Sequence, residues 1–209
     1  MKRYFITGTN TDCGKTYVTR KLTSFYSRAA AIKPVASGCK RINEQLISSD
    51  ALQLQQHSIL SMEQINPWRF EEPVSPHIAA NNQGVRINVN EIAEYCLAFE
   101  SAGIELLFIE GAGGLMVPLN EKETWIDFLQ LTEIPVILVV GLTLGCINHA
   151  LLTQVALDSN NVHCEGWIAN CVDPGMMALD ENIKTLENKL NFPLLATIPY
   201  LGELSDLNL

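Results

Sequence analysis

Residues 4–16 read Tyr4-Phe5-Ile6-Thr7-Gly8-Thr9-Asn10-Thr11-Asp12-Cys13-Gly14-Lys15-Thr16. The apolar run Tyr4, Phe5, Ile6 predicts a short buried strand. A polar loop bounded by glycines follows. After Lys15 the apolar residues fall at Val18, Leu22, Phe25 and Tyr26, a helical spacing. Strand, glycine loop, Lys-Thr and helix in that order are the setting of a P-loop. Backbone N–H groups of such a loop wrap a phosphate, and the open helix N-terminus adds its dipole. Gly14, without a Cβ, lets the backbone come close. Lys15 supplies a mobile positive charge for the β- and γ-phosphates, and the Thr16 hydroxyl is placed to ligate Mg²⁺. The loop departs from the usual motif, because five residues rather than four separate Gly8 from Gly14.

The remaining composition bounds what such a loop can serve. A chain of 209 residues, 47% hydrophobic and 18% charged, is expected to form one globular domain, residues 1–209. The net charge of −9 argues against nucleic acid or an anionic membrane as partner. The longest apolar run, 134–142, is too short to span a bilayer. The first strand starts so near residue 1 that no signal peptide is expected. Six cysteines lie scattered with no Cys-x-x-Cys, which points to free thiols in a reducing cytoplasm.

Strands and helices alternate along the rest of the chain. A second strand is expected over 29–33, ending at Lys33 because Pro34 restricts the residue before it. Residues 39–47 read as a loop. Ser48 and Ser49 can cap a helix over 50–56, with Asp50 in its first turn, where a carboxylate suits the dipole. Residues 57–76 are rich in loop signals, including Asn66-Pro67 and Glu72-Pro73. His77 and His149 read as structural. A helix over 89–101 leads into the strand 106–109, which ends in Glu110-Gly111-Ala112-Gly113-Gly114. An acid after an apolar strand is the Walker B arrangement, which holds Mg²⁺ directly or through water. A short helix over 124–131, with Trp125 and Phe128 for packing, precedes the strand 135–140. The next helix carries Ile147, Leu151 and Val155 on one face, and its free N–H groups could hold a carboxylate. A strand over 165–170, a helix marked by Leu179, Ile183, Leu186 and Leu190, and a strand over 192–198 complete the pattern. The fold class is therefore α/β: a P-loop NTPase-like, doubly wound, mainly parallel sheet with helices on both faces. Each polar feature is expected just past the carboxyl end of a strand, where open α/β sheets bind ligands.

Eight segments together resemble the dethiobiotin synthetases, along almost the whole chain: residues 8–16, Lys-Pro-Val-Ala-Ser-Gly at 33–38, Ser-Asp-Ala-Leu at 49–52, Pro-Val-Ser-Pro-His at 73–77, Glu-Gly-Ala-Gly-Gly at 110–114, Leu-Gly-Cys-Ile-Asn-His-Ala at 144–150, Gly-Trp-Ile-Ala-Asn at 166–170 and Ile-Pro-Tyr-Leu at 198–201. The family's P-loop has Asp where Asn10 stands, Glu at Asp12 and an aliphatic residue at Cys13. The resemblance implies that 7,8-diaminononanoate, CO₂ and ATP give dethiobiotin, ADP and phosphate, in a cytoplasmic homodimer. It further implies catalytic roles for Lys15 and Lys33. ATP would be held by Asp12, Cys13, Gly14, Lys15, Thr16, Tyr17, Asp50 and Glu110 to Gly113 (Gly111 and Ala112 between them), with adenine against Asn170, Cys171, Pro199, Tyr200 and Leu201. Thr16, Asp50 and Glu110 would surround Mg²⁺, which gives Asp50 more than its helix-start role. Thr11 and Ser37 would meet the diamine, and Gly145, Cys146, Ile147 and Asn148 of the other subunit its carboxylate. The family's late acid at the ribose has no clear counterpart in this sequence, where Glu203 and Asp206 are the candidates.

Three rivals are weaker. A deviant-Walker switch ATPase carries an extra lysine early in the P-loop, and positions 8–13 contain none. A glutamine-dependent amide synthase needs a glutaminase domain for which the length leaves no room. A dinucleotide oxidoreductase needs Gly-x-Gly-x-x-Gly, which Gly8 and Gly14 do not make.

Overall fold

A computed structural model describes residues 1–56, 58–207 and 209. In chain order the elements are β1 (Lys2–Gly8), α1 (Lys15–Phe25), β2 (Ala29–Ile32), β3 (Val35–Ala36), β4 (Lys40–Ile42), β5 (Gln45–Ile47), α2 (Ser49–Gln55), α3 (Met62–Ile65), β6 (Trp68–Arg69), α4 (Pro76–Asn82), α5 (Val89–Ala98), β7 (Leu106–Gly114), α6 (Trp125–Thr132), β8 (Val136–Gly141), α7 (Cys146–Ser159), β9 (Cys164–Asn170), α8 (Leu179–Lys189) and β10 (Leu194–Ile198).

Six strands form one parallel sheet in the order β10-β9-β8-β1-β7-β2. Every residue of β8 is buried, so helices must cover both faces, and that is why these strands read as unbroken apolar runs. β1 is central. From it the chain runs by α1 to β2 on one side, β7 later fills the place between them, and β8, β9 and β10 build out on the other side. The strand order therefore reverses beside β1, and the crevice opened there lies directly over residues 9–14. Trp125 locks this centre. Its ring packs 5.1 Å from Phe5 and 5.5 Å from Phe128, and its Nε1 donates to the Ala112 carbonyl at 3.0 Å. No helix of the described residues is long and apolar enough to cross a membrane.

Several expectations need correction. Residues 39–47 contain the antiparallel hairpin β4–β5, whose turn places Asn43 and Glu44 both at positive φ. That turn geometry is usually marked by glycine, and here the marker is missing. Within 57–76, of which residue 57 lies outside the description, Ser61 and Gln64 form a capping box for α3, and β6 pairs with β3. Strand β7 does not stop at Ile109. It continues through Glu110 to Gly114, so Glu110 sits within a strand and not past its end, paired in register with Ile6. On α7 the buried residues are Cys146, Ala150 and Leu157, while Val155 is 59% exposed. The face turned to the sheet therefore runs through Cys146, Ala150 and Leu157, with Ile147 and Leu151 half-buried beside it. Phe25 is likewise exposed, while Val18 and Leu22 are buried.

Trp125→Ala should lower stability by about 3–5 kcal/mol through the lost aromatic packing. A urea titration against the parent checks it, and an unchanged midpoint would remove Trp125 from the centre of the core.

Candidate active site

The loop after β1 is anchored where Thr9 N donates to Val139 O at 3.0 Å. Asp12 and Gly14 both take positive φ, which curls the chain back toward α1. The extra residue is absorbed by Cys13, which turns inward and is buried. A Cβ at Gly8 would lie 2.2 Å from Cys13 Sγ, and one at Gly141 2.7 Å from Cys13 Cα. Asn170, at the end of β9, donates from Nδ2 to the Cys13 carbonyl at 2.9 Å. A Cβ at Gly14 would fall 2.1 Å from that same amide. Gly14 therefore serves two ends, the left-handed backbone and the close approach of Asn170. It also caps α1 without any side-chain bond, so the first N–H groups of the helix stay free for an anion. Lys15 is buried and its Nζ rests on the Asn10 carbonyl at 2.9 Å.

On the other side of β1 the charges gather. Ile32 of β2 pairs with Ile109 of β7, which sets Lys33 and Glu110 side by side. Lys33 Nζ donates to Glu110 Oε1 at 2.7 Å and also to Asp50 Oδ2. Thr16 Oγ1 donates to the same Glu110 Oε1 at 2.7 Å. Ser48 caps α2 by accepting from Ala51 N, which holds Asp50 in the first turn facing the lysine. Burial of Lys33 opposes its charge, but the Glu110 and Asp50 carboxylates outweigh it and hold its pKa above the usual lysine value. Asn66, read in the sequence only as a turn signal, is fully buried and donates to the Lys33 and Pro34 carbonyls at 2.7 and 3.2 Å. It fixes the corner from which Lys33 projects. The Asn66-Pro67 pair in the sequence signals only a turn.

These residues share a cleft of about 780 Å³. Of those singled out in the sequence, Thr11, Asp12, Gly14, Lys15, Thr16, Tyr17, Lys33, Ser37, Asp50, Glu110, Ala112 and Gly113 line it. Gln53 and the segment Pro73-Val74-Ser75-Pro76 line it too, and residue-by-residue reading had not placed them there. Cys13 and Gly111 lie behind it in the core, where a Cβ on Gly111 would meet the Phe5 ring at 2.6 Å. Asn170 ends β9 and Cys171 follows it, next to the turn formed by Pro199, Tyr200 and Leu201, outside the cleft. Gly145, Cys146, Ile147 and Asn148 open α7, also outside it. Glu203 is paired with Lys21, and Asp206 is exposed in the irregular tail.

Among the described residues no group of three or more His, Cys, Asp or Glu could hold a metal. Two carboxylates and the Thr16 hydroxyl do converge, and Mg²⁺ on a nucleotide commonly takes only one or two carboxylates besides phosphate oxygens. Glu110 Oε2 is buried with no hydrogen-bond partner, an acceptor suited to a cation. The donor set fits Mg²⁺.

The parallel sheet and phosphate loop define a P-loop NTPase-type nucleotide-binding protein. Solved structures agree in fold: a septum site-determining protein MinD with Mg-ADP from Pyrococcus horikoshii OT3 (TM-score 0.59, 16% identity, 95% of this chain and 81% of that one) and a MinC:MinD complex from Aquifex aeolicus (0.58, 13%, with the same coverage). An AAA domain family model matches residues 2–208. The ATP-dependent dethiobiotin synthetase BioD of Legionella pneumophila (strain Paris) is 61% identical over 99% of this chain and 98% of its own length. That of Pseudoalteromonas translucida (strain TAC 125) is 41% identical over 96% and 91%. The chain belongs to the ATP-dependent dethiobiotin synthetase family.

Glu110→Gln removes one of the two carboxylate charges that answer the buried Lys33 ammonium, and a urea titration should show a loss of about 3–5 kcal/mol. The sign with pH follows from the raised Lys33 value. The cluster's contribution is complete below the unfolded lysine pKa of about 10.4 and is lost as pH rises through the folded value. Urea titrations of wild type and Lys33→Met across that alkaline range should show the slope only in the wild type.

Proposed function

We infer that the chain closes the ureido ring of dethiobiotin from 7,8-diaminononanoate and CO₂ at the expense of ATP, a step of biotin biosynthesis. The observation that carries this reading is the second buried cation. Lys15 belongs to the phosphate loop, and Lys33 stands separately on the cleft floor, between two carboxylates.

The chemistry needs both. One amine of the substrate adds to CO₂ and loses a proton to give a carbamate. A carbamate oxygen attacks the γ-phosphorus, and ADP leaves. The second amine attacks the carbamate carbon, closing the ring and expelling phosphate. The phosphoryl step brings two anions together, so positive charge is required on each side. Lys15 and the free amides of α1 hold the phosphates. Lys33 faces the carbamate and the γ-phosphate, and Thr11 and Ser37 position the diamine. Thr16, Asp50 and Glu110 would hold Mg²⁺, which when bound neutralises phosphate charge. We assign the base to residues 170–171 and 199–201, which lie together at the ends of β9 and β10.

We place the substrate carboxylate on the α7 N-terminus of a second subunit. Residues 145–148 do not reach the cleft of their own chain, and Gly145 caps α7 with no side-chain bond. The nearby apolar side chains Met116, Leu144, Leu152 and Val155 are exposed, a surface that a symmetric homodimer would cover. The free thiols and the absence of a membrane-crossing helix among the described residues are compatible with a cytoplasmic enzyme.

At close range and an effective dielectric near 20, repulsion between two unit anions is about 4 kcal/mol. Lys33→Gln should therefore slow product formation on the order of a hundredfold or more and leave ATP affinity largely intact. Both are measured on one preparation. Near-wild-type product formation would sink the role of Lys33. Lost nucleotide binding would assign it to the phosphates alone.

The dimer has its own test. Leu152→Glu should yield monomers by sedimentation and raise the KM for the diamine at least tenfold. A fully active monomer with unchanged KM would overturn the shared site.

A further inference from the structure

Residues 199–203 form a short strap after β10. Its near end continues the sheet, where Cys171 N donates to Ile198 O at 2.9 Å. The strap then turns, with Gly202 N donating to Pro199 O at 2.9 Å and Leu201 held at φ 51°. Leu201 is 73% exposed, so burial of its side chain does not account for that left-handed backbone. What lies across from the turn is α1. Tyr17 Oη donates to the Gly202 carbonyl at 2.5 Å, and one turn further on Lys21 Nζ pairs with Glu203 Oε1 at 2.5 Å. Lys21 Nζ also stands 5.1 Å from the centroid of the Tyr17 ring. Among the described residues these are the side-chain hydrogen bonds that join 199–203 to the rest of the chain. Beyond the strap, Leu204 and Leu207 rest on the core.

Tyr17 is the second residue after Lys15 and lines the phosphate cleft. The helical turn that holds the phosphates therefore also grips the segment proposed for the base. We propose that Tyr17, assisted by Lys21, is a positioning residue that ties the strap to the P-loop helix and thereby sets the base end of the nucleotide site. The ligand is the base and ribose of a nucleoside di- or triphosphate, and the inference rests on the assignment of 199–201 to the base. A hydroxyl-to-carbonyl bond suits this task, since it leaves the strap's outer surface free. Glu203 is accordingly engaged with α1, which places its carboxylate on the helix and not on a ribose.

Tyr17→Phe keeps the ring and removes the tie. ADP affinity by calorimetry should fall about tenfold, the scale of one hydrogen bond. Tripolyphosphate, which has no base, should bind as in the wild type. In turnover the loss should fall on the KM for ATP rather than on kcat. Hydrogen exchange of the 199–203 amides in the ligand-free protein should quicken. Lys21→Met should act in the same direction and more weakly, because its partner is exposed. Unchanged ADP affinity in Tyr17→Phe would overturn the proposal, as would an equal loss of tripolyphosphate, since the residue would then act through the phosphate loop. Replacing residues 199–201 together by glycine separates the two readings. If that variant loses ADP affinity and Tyr17→Phe does not, the base assignment stands and the tie falls. If the glycine variant binds ADP normally, the base assignment falls and takes the tie with it.

Discussion

A carboxylate in the middle of a central strand has to be answered by a cation, and in this chain that pairing decides the site. Glu110 is fully buried on β7, where water cannot solvate its charge. Lys33 answers it because β2 pairs with β7 in one particular register, Ile32 against Ile109. A slip by one residue would turn the lysine to the other face and leave two unpaired buried charges. Asp50 joins from α2, oriented by the Ser48 cap, and Asn66 pins the backbone of Lys33 from below. Strand register, helix cap and buried amide thus act on a single ammonium.

The phosphate loop obeys a second constraint of shape. With one residue more than the usual motif, it must store backbone somewhere. It does so by pushing Cys13 into a slot between Gly8 and Gly141, with the Asn170 amide holding the Cys13 carbonyl. Side chains at either glycine would close the slot. Strands β1, β8 and β9 therefore shape one loop through residues far apart in the chain. The same three strands end beside the point where the strand order reverses, so the loop and the crevice meet there.

The cleft itself is unequal at its ends. The phosphate end is built from buried groups on the sheet and on α1. Residues 199–203 form an exposed strap with few bonds to the body, and the N-terminus of α7 lies outside the cleft.

The amino-acid sequence alone determined the alternation of strands and helices and the phosphate loop, and it singled out Lys33 and Glu110 as polar residues beside apolar runs. Those signals are local: apolar periodicity, a glycine loop, and polar residues at the ends of apolar runs. Even there the local reading stopped β7 too early, because a strand pairing through Gly111–Gly114 carries no apolar pattern. It also missed the β4–β5 hairpin, whose turn uses Asn43-Glu44 without glycine, and it expected Val155 inside. Asp50 reads in the sequence as a helix first-turn acid and, by resemblance, as a Mg²⁺ ligand; it does stand in the first turn of α2, and it also pairs with Lys33, which neither reading contains. Only the tertiary structure decided which charges meet, that Asn66 supports Lys33, that Cys13 absorbs the long loop, and that Tyr17 reaches Gly202 across 185 positions. Each of these depends on register and packing between segments distant in the chain. Hydrophobic patterning states which face of an element is buried. It does not state which buried face it meets.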